Sequence, residues 1–206
     1  MKWHHPIRLV GVQVVIALLL ASTSSTTTGT RLLGISWDVE APATLGVVSV
    51  DPATGNHTMV KQLGMQALTI VETAYDHAKN IFYLLSNDGA SLHPLHVQSG
   101  TWLDDIAIDV SGCAGGSGCF SELMYNPDTD AVVATGVGYA NPTRIAAVSI
   151  SLADGSVAML GFVGAGVCAL TLDASALDVE AQTYYLTADC GDDEHDSTIF
   201  AFDVAR

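Results

Sequence analysis

The chain alternates between short apolar runs and polar turns, and four of the apolar runs recur at a nearly constant interval. The recurring runs are 32–35, 81–84, 131–134 and 184–187. Intervals of 50, 50 and 52 residues separate their central positions, Leu33, Tyr83, Val133 and Tyr185. An interval of this size that repeats along a sequence indicates a repeat architecture.

Within each interval, the pattern predicts four short β-strands separated by turns. In the first unit the predicted strands are 32–37, 46–50, 57–62 and 68–73. A glycine that accepts a positive φ is expected in the turn between the second and third strands of each full unit. These glycines are Gly55, Gly100 and Gly155.

The later units repeat the pattern, and the last one stops after two predicted strands. The second unit contains 81–85, 92–97, 101–108 and 122–125. The third contains 131–136, 145–150, 156–162 and 168–172, followed by a turn at 173–182. The fourth contains 183–188 and 198–203. The predicted fold class is all-β: a β-propeller-like array of four-stranded antiparallel blades, about three and a half in number.

The incomplete last blade leaves three interpretations open, since a closed propeller takes about four to eight blades. The chain is a fragment or truncated version of a larger propeller, or it closes as a distorted four-blade ring, or two half-rings pair as a homodimer. The nearest rival to an all-β assignment is segment 169–181. There Leu170, Ala174 and Leu177 would share one face of a helix.

Two turn motifs carry a resemblance to a known family. One is Val-Asp-Pro-x-Thr-Gly between two predicted strands at 50–55, and the other is the Tyr-Asp-x-x-x-Asn turn at 75–80. With the strand pattern, they resemble the YVTN and quinoprotein-like β-propellers. The resemblance covers about residues 31–206, and it implies a fold without implying a function.

The N-terminal segment has the pattern of a secretory signal peptide. Lys2 and Arg8 precede an apolar stretch of 13 residues at 9–21, and small residues follow it. An uncleaved membrane anchor is the alternative, but a spanning helix needs roughly 20 apolar residues. We therefore predict a signal peptide at 1–24, a flexible lead at 25–30, a β-propeller-like domain at 31–206, and a secreted, extracellular protein.

The remaining chain is strongly acidic. The whole sequence has a formal net charge of −15, and loss of the two N-terminal cations leaves five basic residues against 22 acidic ones, or −17. Such a surface repels nucleic acid and anionic membranes, so neither is expected as a partner once the signal peptide is removed. A cation or a basic partner would be attracted, although a plain soluble surface explains the charge as well.

Four cysteines predict two disulfides in a secreted chain, and three pairings are open. We favour Cys113–Cys119, which closes a glycine-rich loop, together with Cys168–Cys190. A zinc site is the alternative, but the spacing of these cysteines contains no Cys-x-x-Cys pair.

Asn56 begins the sequence Asn-His-Thr, which is an acceptor for N-linked glycosylation, and it directly follows the turn at 51–55. Because a turn exposes the acceptor in a secreted protein, we predict a glycan at Asn56. The sequence Asn141-Pro142-Thr143 is excluded by its proline.

An acidic run at 189–196 is the densest polar cluster in the sequence. Its carboxylates could hold a hard cation such as Ca²⁺ through their oxygens. The candidate ligands are Asp192, Asp193, Glu194 and Asp196. A solvated loop is the favoured interpretation, and the calcium-like spacing of Asn126, Asp128 and Asp130 is assigned to a turn because the required glycine and glutamate are missing.

The sequence contains no motif that specifies a reaction. It has no Gly-x-Ser-x-Gly nucleophile motif and no glycine-rich phosphate loop before a helix. We therefore predict no cofactor and assign no catalytic residue. The favoured function is a secreted, non-catalytic binding or interaction module for a protein or carbohydrate ligand. The alternative is a propeller-type extracellular hydrolase or lyase, or a truncated fragment of one.

Overall fold

The chain folds as β-strands connected by turns. The computed structural model describes residues 12–15, 32–38, 45–51, 53–62, 70–86, 88–114, 119–141, 144–163, 169–189 and 197–205. In these ranges there is no helix, and there are sixteen strands. They are β1 (Val12–Val15), β2 (Leu32–Asp38), β3 (Leu45–Val50), β4 (His57–Gln62), β5 (Ile70–Asp76), β6 (Ile81–Ser86), β7 (Ser91–His96), β8 (Thr101–Trp102), β9 (Ile106–Ala107), β10 (Phe120–Asn126), β11 (Ala131–Val137), β12 (Ile145–Ser151), β13 (Val157–Phe162), β14 (Ala169–Asp178), β15 (Thr183–Asp189) and β16 (Ser197–Asp203).

The chain divides into two compact units, of which the first comprises residues 1–67 and 97–100. It contains one antiparallel sheet with the strand order β1-β2-β3-β4, here called the first sheet. Strand β1 lies inside the predicted signal peptide and pairs with β2, with Val12 opposite Asp38 and Val15 opposite Ile35. The signal peptide stays a prediction, and the four-stranded form of this sheet belongs to the chain that retains residues 12–15.

The second unit comprises residues 68–96 and 101–206 and contains three antiparallel sheets. The second sheet has the order β5-β6-β7-β8, with β9 also paired to β7. The third sheet has the order β10-β11-β12-β13, and the fourth has the order β14-β15-β16. The all-β, four-stranded, propeller-like fold predicted from the sequence is confirmed.

The repeat is confirmed with a correction to where each unit begins. The four recurring apolar runs lie in the second strand of the four sheets: β2, β6, β11 and β15. The run predicted as the end of the first unit is β5, and it pairs with the strand that follows it, Asp76 opposite Ile81. A four-residue turn joins β5 to β6, so the hairpin forms locally. Each sheet thus starts one strand earlier than predicted.

Strand β11 of the third sheet is buried on both faces, which explains its continuous apolar sequence. Val132 and its neighbour Val133 are both fully buried, but they point to opposite sides of the sheet. Val132 packs in a cluster with Tyr83 of the second sheet. Val133 packs in another cluster with Tyr184 of the fourth sheet. The third sheet therefore has a layer of apolar core on each side.

The predicted turn glycines adopt the backbone conformation that the sequence required. Gly55, Gly100 and Gly155 have φ values of 71°, 65° and 69°. Gly155 also approaches the neighbouring sheet closely, because a Cβ at this position would overlap the carbonyl oxygen of Ala107. The Gly155 oxygen accepts a hydrogen bond from the Asp109 backbone N–H at 3.0 Å. This glycine is needed both for its turn and for the contact between the second and third sheets.

The strand predicted at 101–108 is interrupted, because its partner strand β7 contains Pro94. Leu95 pairs with Trp102, and Leu92 pairs with Ile106. Between these pairs Pro94 accepts a hydrogen bond from the Leu103 N–H at 2.9 Å. A proline has no N–H with which to continue the ladder. One extra residue on the outer strand forms a bulge, which divides the predicted strand into β8 and β9.

The turn predicted at 173–182 is shorter than expected. Strand β14 extends to Asp178, which pairs with Thr183 of β15. The pairing is irregular between Leu170 and Ser175, and this bulge lets the ten-residue strand follow a seven-residue partner. The helical alternative for 169–181 is wrong over 169–178, because this segment forms strand β14 and both of its ends pair with β15.

Candidate functional site

Three hairpin turns of the second unit share one geometry. In each, the side chain at the end of the first strand accepts a hydrogen bond from a backbone N–H inside the turn, at 2.9 to 3.0 Å. The accepting residues are Asp76, Asn126 and Asp178. Each turn ends on a non-glycine residue with a φ of 49° to 55°, and these residues are Asn80, Asp130 and Gln182. The calcium-like spacing at 126–130 is therefore a turn, as predicted.

Side chains from neighbouring turns join the sheets to one another. Lys79 Nζ of the second sheet donates to Asp130 Oδ1 of the third sheet at 2.6 Å. Asn126 Nδ2 of the third sheet donates to Gln182 Oε1 of the fourth sheet at 2.9 Å. Gln182 Nε2 also donates to Asp128 Oδ2 at 2.8 Å. A polar chain thus follows the turns across all three sheets of the second unit.

Lys79 is the centre of charge in this polar chain. Its ammonium lies between Asp130 and Asp76, whose Oδ2 is 3.6 Å from Lys79 Nζ. The hydrogen bond to Asp130 is the main cause that raises the pKa of Lys79 and lowers the pKa of Asp130. Burial, followed by the hydrogen bond to Asp130, raises the pKa of Tyr125. Lys79 and Asp130 therefore stay ionised over the physiological pH range, whereas Tyr125 stays neutral.

Next to this cation, a groove of about 580 Å³ separates the second sheet from the third. The second sheet supplies one wall through 103–107, and the turn at 152–154 supplies the other. Tyr83 lies in the groove and also stacks on Tyr125, with ring centroids 5.9 Å apart. The complete lining is Lys79, Ile81, Tyr83, Pro94, Leu103, Asp104, Asp105, Ile106, Ala107, Asp130, Leu152, Ala153 and Asp154. The groove combines apolar surface with a charged rim.

The charged groups of the groove are mostly carboxylates: Asp104, Asp105, Asp130 and Asp154 against Lys79 alone. The positive charge of Lys79 is already paired with Asp130. Asp105 contacts His93 at 2.7 Å, and Asp154 accepts two hydrogen bonds from Ser156. Asp104 is exposed and makes no hydrogen bond or ion pair with the part of the chain that the structure describes. The groove therefore has an excess of negative charge.

A second cluster lies on the first strands of the sheets. Glu72 of β5 and Glu122 of β10 are both half-buried, and Ser175 Oγ of β14 donates to Glu122 Oε2 at 2.9 Å. Burial raises the pKa of Glu72 to about 7, and repulsion from Glu122 adds to the effect. Glu122 has a φ of 55°, and its carbonyl oxygen accepts a hydrogen bond from the Tyr184 hydroxyl at 3.0 Å. The three strands thus bring two interacting carboxyl groups together.

The spacing of Glu72 and Glu122 in the sequence is a signal for this pair, but the pair was not predicted from the sequence. Glu72 and Glu122 are 50 residues apart, which is the interval of the repeat, and each stands three residues before the tyrosine of its turn. Equivalent positions in a repeat occupy equivalent places in the fold. A search for identical polar residues at the repeat interval would have found them.

The cysteine predictions have two outcomes. Cys113 and Cys119 form the predicted disulfide, with a Cα–Cα distance of 5.8 Å. Both residues are buried and pack in the cluster between the second and third sheets. Cys168 and Cys190 lie outside the described residues, so their pairing stays a prediction.

The remaining predicted sites lie on the surface or outside the described ranges. Asn56 is exposed at the end of the turn that begins with Asp51, and its glycosylation stays a prediction. The candidate cation ligands Asp192, Asp193, Glu194 and Asp196 fall outside the described residues. Within the ranges that are described, no three histidine, cysteine or carboxylate side chains are grouped so that they could hold a metal ion.

Comparison with known proteins supports the fold of the chain but does not assign the chain to a family. No family model matches the sequence, and no curated protein matches it. The structure is similar to TolB from Acinetobacter baumannii, with a TM-score of 0.53, 14% identity, and coverage of 84% of this chain and 38% of TolB. It is also similar to a chain of a nidogen/laminin complex, with a TM-score of 0.50, 11% identity, and coverage of 81% and 59%.

A third similarity is to a structure of prolyl endopeptidases, with a TM-score of 0.50 and 12% identity. It covers 95% of this chain and 28% of the other. The chain therefore spans less than two thirds of each of these proteins. At such low identity the similarities establish the class alone, which is β-propeller-like. No helix in the described ranges has the length and hydropathy needed to cross a membrane.

Proposed function

We propose that this chain is a secreted, non-catalytic binding module of the YVTN or quinoprotein-like kind, and that it binds its ligand in the groove between the second and third sheets. The observation that carries the proposal is the groove itself, about 580 Å³ in volume, where apolar side chains meet four carboxylates. Concave sites that combine apolar surface with a few polar groups are the usual places for ligands.

Rigid surroundings support this use of the groove. The Lys79–Asp130 hydrogen bond joins the two sheets at the groove lining, and Gly155 brings the turn after β12 against the second sheet. A site held by fixed elements loses little conformational entropy when a ligand binds. The disulfide Cys113–Cys119 supports secretion, since such bonds persist in oxidising compartments.

A binding screen with a groove-filling variant tests the proposal. Wild-type protein and Leu103→Trp/Ala153→Trp are applied to a peptide library and a glycan array. The variant places a large neutral side chain on each wall of the groove. Ala201→Trp is the matched control, because Ala201 is exposed on β16 in the fourth sheet. We expect ligands that bind the wild type and the control but not the variant. Ligands that bind all three proteins equally would contradict the proposal.

A second candidate function is favoured by the Glu72–Glu122 pair. A carboxyl group with a pKa of about 7 beside a second carboxyl group is suited to general acid–base catalysis. This would be the extracellular hydrolase or lyase alternative. It is tested by assaying wild type and Glu72→Gln on ester and glycoside substrates. Turnover that is lost in the variant, with a wild-type pH dependence near 7, would favour the enzyme.

A further inference from the structure

We propose that the groove binds an extended polypeptide segment through its lysine or arginine side chains. This inference rests on the proposed function, because it names the partner of the same groove. Charge is the first reason, since four aspartates line the groove and its single cation, Lys79, is already paired. An acidic peptide would meet repulsion there, whereas a basic one replaces the water around carboxylates with ion pairs.

Asp104 is the principal contact for such a ligand. It is exposed on the groove wall and makes no hydrogen bond or ion pair with the part of the chain that the structure describes. The other three aspartates already have partners in His93, Lys79 and Ser156. A ligand cation that pairs with Asp104 therefore disrupts no existing contact. Asp154 faces it from the third-sheet wall and adds a second negative charge to the rim.

The apolar part of the groove favours lysine and arginine over a small metal ion. Leu103 is 43% exposed on the second-sheet wall, close to Asp104 in the chain. Ile81 and Tyr83 extend the apolar surface inward from the rim. A long basic side chain can lay its methylene groups on such a surface while its charged end reaches a carboxylate. A bare divalent ion would gain nothing from this surface and would need several converging oxygens.

Calorimetric titration of the full chain with three matched peptides tests the inference. The peptides are heptamers in which leucine alternates with lysine, with acetyl-lysine or with glutamate. We expect the lysine peptide alone to bind, and its affinity to fall as salt is raised, because the interaction is between exposed charges. The acetyl-lysine peptide keeps the apolar stem of lysine and lacks its charge. It therefore separates the apolar contribution to binding from the electrostatic one.

Variants locate the binding. Asp104→Asn should weaken the lysine peptide about two- to fivefold, and Asp104→Asn/Asp154→Asn about tenfold, as expected for the loss of exposed ion pairs. Glu180→Gln changes the net charge by the same amount as the single variant Asp104→Asn, at an exposed position outside the groove lining. This control should leave the affinity within the error of the measurement.

The other outcomes overturn the inference in distinguishable ways. If the glutamate or acetyl-lysine peptide binds as well as the lysine peptide, and Leu103→Trp/Ala153→Trp abolishes the binding, the groove is a ligand site and only the basic partner is wrong. If the lysine peptide binds and the groove-filling variant has no effect, the groove itself is wrong. Calcium binding that Asp104→Asn abolishes, or no peptide binding at all, also overturns the basic-peptide proposal.

Discussion

Lys79 Nζ donates a hydrogen bond to Asp130 Oδ1 at 2.6 Å, and this contact between residues 51 positions apart in the chain joins the second sheet to the third. Both side chains are about half exposed, yet Lys79 also lies 3.6 Å from the fully buried carboxylate of Asp76. Within the described residues, Asp76 Oδ2 has no hydrogen-bond partner. Lys79 is therefore more important as the counter-charge of Asp76 than as a surface ion pair.

Replacing Lys79 should cost more than replacing its exposed partner. We expect Asp130→Asn to reduce the free energy of unfolding by about 1 kcal/mol or less, because exposed ion pairs contribute little. Lys79→Met removes the counter-charge of a buried carboxylate and should cost on the order of 1–3 kcal/mol. Urea unfolding of both variants measures the difference. The double variant Asp76→Asn/Lys79→Met should be more stable than Lys79→Met, because it removes the buried charge as well as its counter-charge. If the double variant is no more stable than Lys79→Met, then Lys79 is not the counter-charge of Asp76.

Glu72 should make stability depend on pH. Its pKa lies at about 7 in the folded state against an ordinary value of 4.5, so between these values the folded state holds a proton that the unfolded state has released. The contribution of Glu72 to the free energy of unfolding should therefore be largest below pH 4.5 and be lost as pH rises through 7. Glu72→Gln should flatten that part of the urea-unfolding profile, while exposed Glu180→Gln should leave it unchanged. Equal profiles for wild type and Glu72→Gln would rule out the raised pKa.

Two glycines with the same backbone conformation should respond differently to alanine. Gly55 and Gly155 have φ values of 71° and 69°, but no atom lies within 4 Å of a Cβ at Gly55. Gly55→Ala should cost about 1 kcal/mol from the backbone conformation alone. Gly155→Ala adds an overlap with the Ala107 carbonyl and should cost roughly 1–3 kcal/mol more. Thermal unfolding of the pair checks this order, and equal losses would contradict it.

The strands were predictable because their signals are local, whereas the sites depend on which strands are neighbours. Gly55 and Gly155 marked their turns through a preference that acts within a few residues. The boundary of each sheet was wrong by one strand, because a run such as Ile70–Asp76 looks the same whether it pairs backward or forward. The pairing is decided by the short turn after Asp76 and by the packing of β5 beside β10.

The groove could not be predicted for the same reason. Asp104 and Asp154 are 50 residues apart and lie on different sheets. They face one groove because the bulge opposite Pro94 places Asp104 and Asp105 between β8 and β9, and because Gly155 permits close contact with Ala107. The Glu72–Glu122 pair is different, because its residues hold equivalent positions in the repeat as well as standing one interval apart. Each stands three residues before a tyrosine, whereas Asp104 lies between β8 and β9 and Asp154 lies in the turn before β13. The pair was accessible to sequence reasoning that compared polar residues as well as apolar ones.

The strand register predicts the second disulfide. Ala169 of β14 pairs with Asp189 of β15, and the chain neighbours of this pair are Cys168 and Cys190. The two cysteines are thus each one residue along the chain from a described pair, which favours the predicted Cys168–Cys190 disulfide. Peptide mapping of the non-reduced protein should therefore find Cys168–Cys190 beside Cys113–Cys119. A peptide that links Cys168 to either residue of the first bridge would contradict this prediction.

Removal of the predicted signal peptide should change the first sheet and leave the other sheets unaffected. Strand β1 pairs with β2 in the full chain, and a mature chain without residues 1–24 lacks β1. One edge of β2 then loses its hydrogen-bond partners, and its amide hydrogens should exchange faster with solvent. Hydrogen exchange on refolded chains with and without residues 1–24 measures this for Leu32–Asp38, with Ala131–Val137 of the third sheet as the internal control. Unchanged exchange in β2 would show that β1 does not stabilise the first sheet.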